Sequence, residues 1–286
     1  MKRILCIALA VMLAFSLCAC SPDGGTTPAE PTDTPVPTQD LSVYEKSEGR
    51  LEKEVWYNAN DLKFNTVSYE YDDLGNLVKE TTLGINDAPV GYKEYAINAD
   101  GLVETMISYA YNGPEETAEE YRVLYEYNET GLKMKASSMI SGSVTAVTTY
   151  AYEGKSLVSE KYYEGSELVS DISYEYGDSG ELTKLTRNDM LEGGSTVESY
   201  SYGDDGLVSR MESSVDGSLV NSTEYSYDEH GSELSVSVYG PDGTAISVTN
   251  NEYEYDEPGN IIKCTRSQAG GERNAVIEYS WSYVKG

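Results

Sequence analysis

Tyr69 to Thr81 reads YEYDDLGNLVKET, and the same design returns as YEYGDSGELTKLT from Tyr174 to Thr186 and as YEYDEPGNIIKCT from Tyr253 to Thr265. A residue, a gap and the same residue again marks one face of an extended strand, because successive side chains in extended chain point to opposite sides. In the second copy Ser173 and Glu175 occupy the positions around Tyr174, so one face is aromatic and the other wet. The Asp/Asn/Gly cluster then turns the chain. A second extended stretch rich in Val, Ile and Thr follows, with untidy alternation that predicts partial burial of both its faces.

Working outward, the turn glycine recurs at Gly49, Gly75, Gly101, Gly131, Gly154, Gly180, Gly206, Gly231 and Gly259, at intervals of 26, 26, 30, 23, 26, 26, 25 and 28 residues. A tyrosine pair precedes most of these glycines; the second unit keeps only Tyr95, with Ile97 in the other slot, and the first has Tyr44 alone. A further turn closes each unit, as in EGGST from Glu192 or GPDGT from Gly240. Two strands of about eight residues and two turns of about five account for the period, so each unit is a β-hairpin. The predicted fold is all-β: an antiparallel meander of about nine hairpins and a closing strand around Trp281 and Tyr283, roughly nineteen strands in a single-layer twisted sheet, open or spiral. Closure into a barrel is the lesser rival, and a membrane-spanning barrel the least, since Glu and Lys on the second face would sit in hydrocarbon. The chain has 26 tyrosines but only two phenylalanines. A tyrosine ring buries area against its neighbour while its hydroxyl reaches water or backbone, which suits a sheet without a deep core. An open sheet needs its ends protected, and Trp56 and Trp281 are the expected caps.

The Tyr-x-Tyr-Asp-x-x-Gly stretches at Tyr69, Tyr225 and Tyr253 resemble the YD repeats of the RHS family, large bacterial surface and secreted proteins whose hairpins wind into a spiral β-sheet. The resemblance covers most of residues 42–286 and implies that spiral here. Family repeats commonly carry Arg after the turn glycine, where this chain has Asn76, Asn260 or Glu181, and the strict Asp drifts to Gly177, Gly203 and Asn128. RHS toxins add a proline- and aspartate-containing core segment and a variable toxin domain. No counterpart is found, so toxin delivery and self-cleavage are not carried over.

Ahead of the repeats, residues 1–19 place Lys2 and Arg3 before an apolar run of secretory-signal length. The run ends in LCAC, which resembles the lipobox of bacterial lipoproteins and implies lipidation of Cys20 and cleavage before it. Two or three acyl chains hold a protein on a bilayer durably, each buried methylene contributing roughly 0.8 kcal/mol. Residues 20–41 then read as a disordered Pro/Thr/Gly linker, and residues 42–286 as the repeat domain. The expected location is the cell membrane or outer membrane, lipid-anchored and facing away from the cytoplasm.

Loss of Lys2 and Arg3 with the leader takes the formal charge from −29 to −31. So acidic a surface repels phosphate backbones, which excludes nucleic acid as a partner. Cys6 and Cys18 leave with the leader and Cys20 is lipidated, so Cys264 stands alone and no intrachain disulfide is available.

No catalytic residue is assigned. The one histidine, His230, sits in the turn YDEHG and reads as an exposed turn residue. No triad or zinc cluster can be assembled around it. Cys264 reads as a small packed strand residue. Asp beside Gly in YDDLGN or GPDGT offers oxygen atoms to Ca²⁺, but turns require these residues anyway, and neither metal nor cofactor is indicated. Two functions remain: a non-catalytic surface scaffold for a protein or glycan, and, as the alternative, an envelope carbohydrate hydrolase using paired carboxylates. The long third interval, Asn112 to Glu120, is where an insertion would build a pocket.

Overall fold

The computed structural model describes residues 49–111, 113 and 117–283. They form eighteen strands and one short 3₁₀ turn (Ile85–Asp87). The strands are β1 (Gly49–Asn58), β2 (Lys63–Tyr71), β3 (Leu77–Leu83), β4 (Pro89–Ile97), β5 (Val103–Tyr111), β6 (Thr117–Tyr127), β7 (Lys133–Ile140), β8 (Ser143–Glu153), β9 (Ser156–Glu164), β10 (Glu167–Tyr176), β11 (Leu182–Asp189), β12 (Gly194–Tyr202), β13 (Val208–Val215), β14 (Ser218–Tyr227), β15 (Glu233–Tyr239), β16 (Ala245–Tyr255), β17 (Ile261–Gln268) and β18 (Arg273–Tyr283). The expected strand around Tyr44, the linker and Cys20 lie outside the described residues.

Each strand pairs antiparallel with the next, and β18 pairs with β1 from Gly49↔Tyr283 to Asn58↔Ala275. The meander is therefore a closed barrel. The open or spiral sheet expected from the repeats, and implied by the RHS resemblance, is corrected by this seam. A cross-linking experiment reads the seam directly. Val55 and Glu278 face each other across it, at the Cα spacing that a disulfide spans. Val55→Cys with Glu278→Cys is expected to oxidise to an intrachain bridge, seen as faster migration on a non-reducing gel. In an open sheet the two positions sit at opposite ends and no bridge forms.

The cause of closure lies in the ladders. In seventeen of the eighteen, one extra residue bulges out of the strand that has just left a turn; only β11–β12 runs unbroken. Glu70↔Lys79 is followed by Tyr71↔Leu77, leaving Val78 unmatched, and Met134, Thr183, Leu234 and Ile262 are left over in the same way. A bulge bends its strand and adds right-handed twist, and repeated at nearly every turn it curls the sheet until its ends meet. The same bulges explain the untidy alternation. Met134, Leu234 and Ile262 are out of phase and exposed, so the expected burial of both faces gives way to a phase shift.

Turns alternate between two rims. The upper rim holds the tyrosine-pair turns, where a type I turn ends on a glycine with positive φ, as at Gly180 (φ +91°). Where the turn opens on Asp or Asn, its side chain satisfies the free amides: Asp72 Oδ1 accepts from Leu74 and Asn76, and Asn98 Oδ1 from Asp100 and Leu102. Both ends of the described chain, Gly49 and Tyr283, reach this rim. The lower rim holds the other turns.

One face of the wall carries the first tyrosine of each pair together with Trp56, Val123, Leu185 and Ile277, these last four at most 5% exposed. The other carries solvent-reaching ion pairs such as Lys135–Glu126, Lys184–Glu175 and Lys263–Glu254. Side chains converge inside a closed sheet and fan apart outside it, so the tyrosine face is the inner one. Eighteen strands about 4.8 Å apart and tilted about 40° would wrap a circle roughly 35 Å across, too wide for opposite walls to interdigitate. Packing is accordingly lateral. Met106, Val123, Ala136 and Tyr150 form one patch among neighbouring strands, Ile172, Tyr174, Leu182 and Leu185 a second, and Trp56, Cys264 and Ile277 a third.

The second tyrosine of a pair has a different task. Tyr71 donates its hydroxyl to the Leu51 carbonyl (2.8 Å), Tyr127 to Val103 (2.6 Å), Tyr176 to Leu157 (2.7 Å), Tyr202 to Leu182 (2.6 Å) and Tyr227 to Val208 (2.9 Å). Every acceptor immediately precedes a bulged residue of the preceding unit. A bulge interrupts the ladder, and backbone groups there need another partner, which the phenol supplies and phenylalanine could not. In the last unit the Trp281 indole nitrogen donates to the Ile261 carbonyl (2.8 Å) in the tyrosine's place. Trp281 opposes Leu51 and Trp56 opposes Ile277 across the seam. The two tryptophans expected as caps thus sit in the closing junction, because a closed sheet has no ends to cap.

Candidate functional site

The inner wall is built on a simple rule. The first tyrosine of most units reaches back to one position on the preceding odd-numbered strand, a position filled by Glu54, Glu80, Met106, Ala136, Glu160, Leu185, Met211 or Cys264, whereas Tyr253 donates to the Glu233 carbonyl (2.8 Å). Where that position holds Glu, the phenol donates to it: Tyr69 to Glu54 (3.0 Å), Tyr95 to Glu80 (2.9 Å) and Tyr174 to Glu160 (2.6 Å). Elsewhere the hydroxyl finds a substitute, as Tyr200 does in Glu198 (2.6 Å). Burial first, then the adjacent charge and its hydrogen bond, push the Tyr174 phenol well above its ordinary range. Burial and the Glu233 and Glu198 charges push Tyr225 up to about 12. Glu233 is itself raised by burial, against the pull of Arg266 and Asn251. These carboxylates are hydrogen-bonded to phenols and amides of the wall and so tie neighbouring strands together.

The outer wall has a shallow depression of about 350 Å³ over β2–β5, lined by Glu70, Val78, Lys79, Glu94, Ala96, Thr105 and Ile107 with Tyr95. Lys79 Nζ stands 3.6 Å from Glu94 within it. Beside it Tyr92 stacks on Tyr109, ring centres 4.6 Å apart and planes 18° apart, while Lys79 Nζ lies 4.3 Å from the Tyr92 ring on the strand to the other side. Tyr92 is therefore covered from both flanks. On the next strand Arg122 clamps Glu119 through two hydrogen bonds of 2.9 and 2.7 Å. This is a cross-strand ladder centred on Tyr92, with its neighbouring charges paired.

The residues singled out from sequence are scattered. Cys20 lies outside the described residues. His230 sits in an upper-rim turn with its ring 4.3 Å from that of Tyr255, and its backbone amide donates to Asp228. Cys264 is 2% exposed between Tyr253 and Ile277, and burial raises its thiol, which makes it unreactive. The turn aspartates spend an oxygen on turn amides; Asn76 through side chain and amide holds Asp72 below the usual carboxylate range. Among the described residues no group of three or more His, Cys, Asp or Glu converges as metal ligands. Of the long third interval, Asn112 and residues 114–116 lie outside the described residues, Glu119 is held by Arg122, and Glu120 accepts from Ser108 (3.1 Å). What sequence reading missed is the regular backward reach of the tyrosines. Its signal is a tyrosine about twenty residues after each strand-opening apolar residue.

No protein-family model matches the sequence and no characterised protein matches it. Among solved structures, the chain is similar to the complex TcdB2-TccC3-TEV at 14% identity and a TM-score of 0.35, covering 79% of this chain and 16% of that one. It is similar to a porin-like protein from Bacteroides uniformis at 12% identity and a TM-score of 0.45, covering 81% and 96%. A porin-like protein from Bacteroides vulgatus gives 11% identity and a TM-score of 0.31, covering 82% and 99%. The chain thus spans about a sixth of the length of the TcdB2-TccC3-TEV chain it matches. Likenesses this distant carry no argument about function.

Proposed function

We propose that this chain is a non-catalytic cell-envelope barrel, anchored by lipid at Cys20 and serving as an interaction scaffold for a protein or glycan partner. The observation that carries this reading is the wall itself: phenols, carboxylates and bulge carbonyls are spent on one another from unit to unit, and the depression over β2–β5 is shallow and charge-paired. The anchor rests on the leader and the lipobox-like LCAC. Spanning is disfavoured on both faces, because the outer wall bears the Lys–Glu pairs and the inner wall bears Glu54, Glu80, Glu160 and Glu198, so neither offers the apolar band a bilayer requires. The YD-like units, which carry the RHS resemblance, serve here as a presenting wall.

In a detergent phase-partition assay the wild-type protein is expected in the detergent phase and Cys20→Ala in the aqueous phase. Equal partitioning refutes the anchor. Incubating residues 41–286 with envelope polysaccharide is expected to release no new reducing ends, with or without calcium; release would restore the hydrolase alternative.

A further inference from the structure

The two rims differ in what they expose. At the lower rim Leu62, Ile85, Val90, Val144, Leu191 and Ile246 are each between 53% and 66% exposed, whereas among the described large apolar residues of the upper rim only Leu74 exceeds half exposure. Turns call for Gly, Asn, Asp, Pro or Ser, and nothing in turn chemistry needs Leu or Ile at a solvated tip. Val90 and Ile246 are bulge residues that the register turns out of the wall. The six are spread over the β1–β2, β3–β4, β7–β8, β11–β12 and β15–β16 turns, five of the nine on this rim. Single exposed apolar residues are ordinary on a protein surface, but here they recur at turn tips of one rim, and Leu62 and the pair Ile85 and Val90 stand in consecutive turns of it.

The exposed charges that no ion pair takes up between these tips are carboxylates. Of the cations near the described lower rim, Lys63, Arg122 and Arg273 are in ion pairs with Asp87, Glu119 and Asp61, while Arg187 and Arg266 lie on the tyrosine face two residues inside the ends of β11 and β17, Arg266 bonded to Asn251. Glu164, Glu167, Glu192, Asp216, Asp242 and Glu272 stand in the intervening turns and strand ends, exposed and in no ion pair among the described residues. A second copy would bring carboxylates against carboxylates, and an anionic bilayer would do the same. A surface that is both apolar and basic is complementary.

We infer that the lower rim is a docking face for a cationic amphipathic protein segment, seated end-on against the ring. This rests on the scaffold reading and names the chemistry of its partner. Residues 41–286 suit the test because the described wall closes with every strand paired on both sides. The probe is a fluorescent amphipathic peptide of Leu and Lys, with the Leu/Glu peptide as control, followed by anisotropy at about 0.15 M salt, where charges more than about 8 Å apart are screened. The Leu/Lys peptide is expected to bind and the Leu/Glu peptide not. Combining Leu62→Ser, Ile85→Ser, Leu191→Ser and Ile246→Ser is expected to weaken binding about tenfold or more, which is about 1.4 kcal/mol, with the thermal melt unchanged. Leu74→Ser on the other rim should leave affinity within about twofold. Affinity unchanged by the four serines means charge alone attracts the peptide and overturns the proposal, as does absence of binding. Self-association, or pelleting with phosphatidylcholine vesicles, that the four serines abolish assigns the face to a second copy or to lipid and overturns it equally. The Cys20→Ala partition result is independent of every one of these outcomes.

Discussion

Trp56→Ala is expected to lower the melting temperature by roughly 10 °C. The indole is 5% exposed, packs edge-on against Phe64 with ring centres 6.5 Å apart, and opposes Ile277 across the seam. Removing a buried Trp costs about 3–5 kcal/mol, and a domain of this size loses about 2–4 °C per kcal/mol. The junction has no deep second layer to collapse into the vacated space, since packing runs along the wall. Leu234→Ala, at an exposed bulge, should change stability by less than about 0.5 kcal/mol. Calorimetry on the two variants checks both statements. A Trp56→Ala melt within about 2 °C of wild type would mean that the seam does not hold the ring closed.

Alkali should unfold the barrel cooperatively. Tyr69, Tyr95, Tyr174, Tyr200 and Tyr253 are all raised above the ordinary phenol value, burial being the largest cause in each and neighbouring charges adding to it. A phenol whose folded pKa is raised keeps its proton in the fold at a pH where the unfolded chain has released it. Its contribution to stability is complete below about pH 10 and is lost as pH rises through the folded value. Each such group removes at most about 1.4 kcal/mol per pH unit, and less where water screens a half-exposed ring. With several acting together, a stability of about 5–15 kcal/mol is exhausted within about two units. Phenolate absorbance and loss of β-sheet circular dichroism are therefore expected to rise together near pH 12 in one transition. Smooth titration around pH 10 with the dichroism unchanged would show that the phenols are not engaged as described.

Much of this architecture is legible from local pattern. Tyr-x-Tyr places two rings on one side of a strand whatever the strand joins, and Asp72 with Gly75 specifies a turn through amide caps and a positive φ. Cys264 as a packed strand residue follows from its place in the repeat. Other features escape that pattern. Val78, Leu234 and Ile262 look like core residues because they are apolar, and only the cross-strand register shows them to be bulges. The carboxylates of Glu54, Glu80 and Glu160 look like solvent-facing charge, and only the reach of Tyr69, Tyr95 and Tyr174 across a strand shows them to be partners of buried phenols. The apolar tips at Leu62, Ile85 and Ile246 lie far apart in sequence, so no window of residues shows them gathered on one rim.

The sequence by itself determined the hairpin unit, its turns, and which side chains share a face, because φ/ψ preference and the two-residue strand period are local. The tertiary structure alone decided that the ribbon closes, and it does so by accumulated bend: each bulge depends on how two strands align, and the meeting of β18 with β1 depends on all those bends together. Closure in turn decided the roles of Trp56 and Trp281, turned the tyrosine face inward, and left the lower rim as the apolar, acidic surface of the ring.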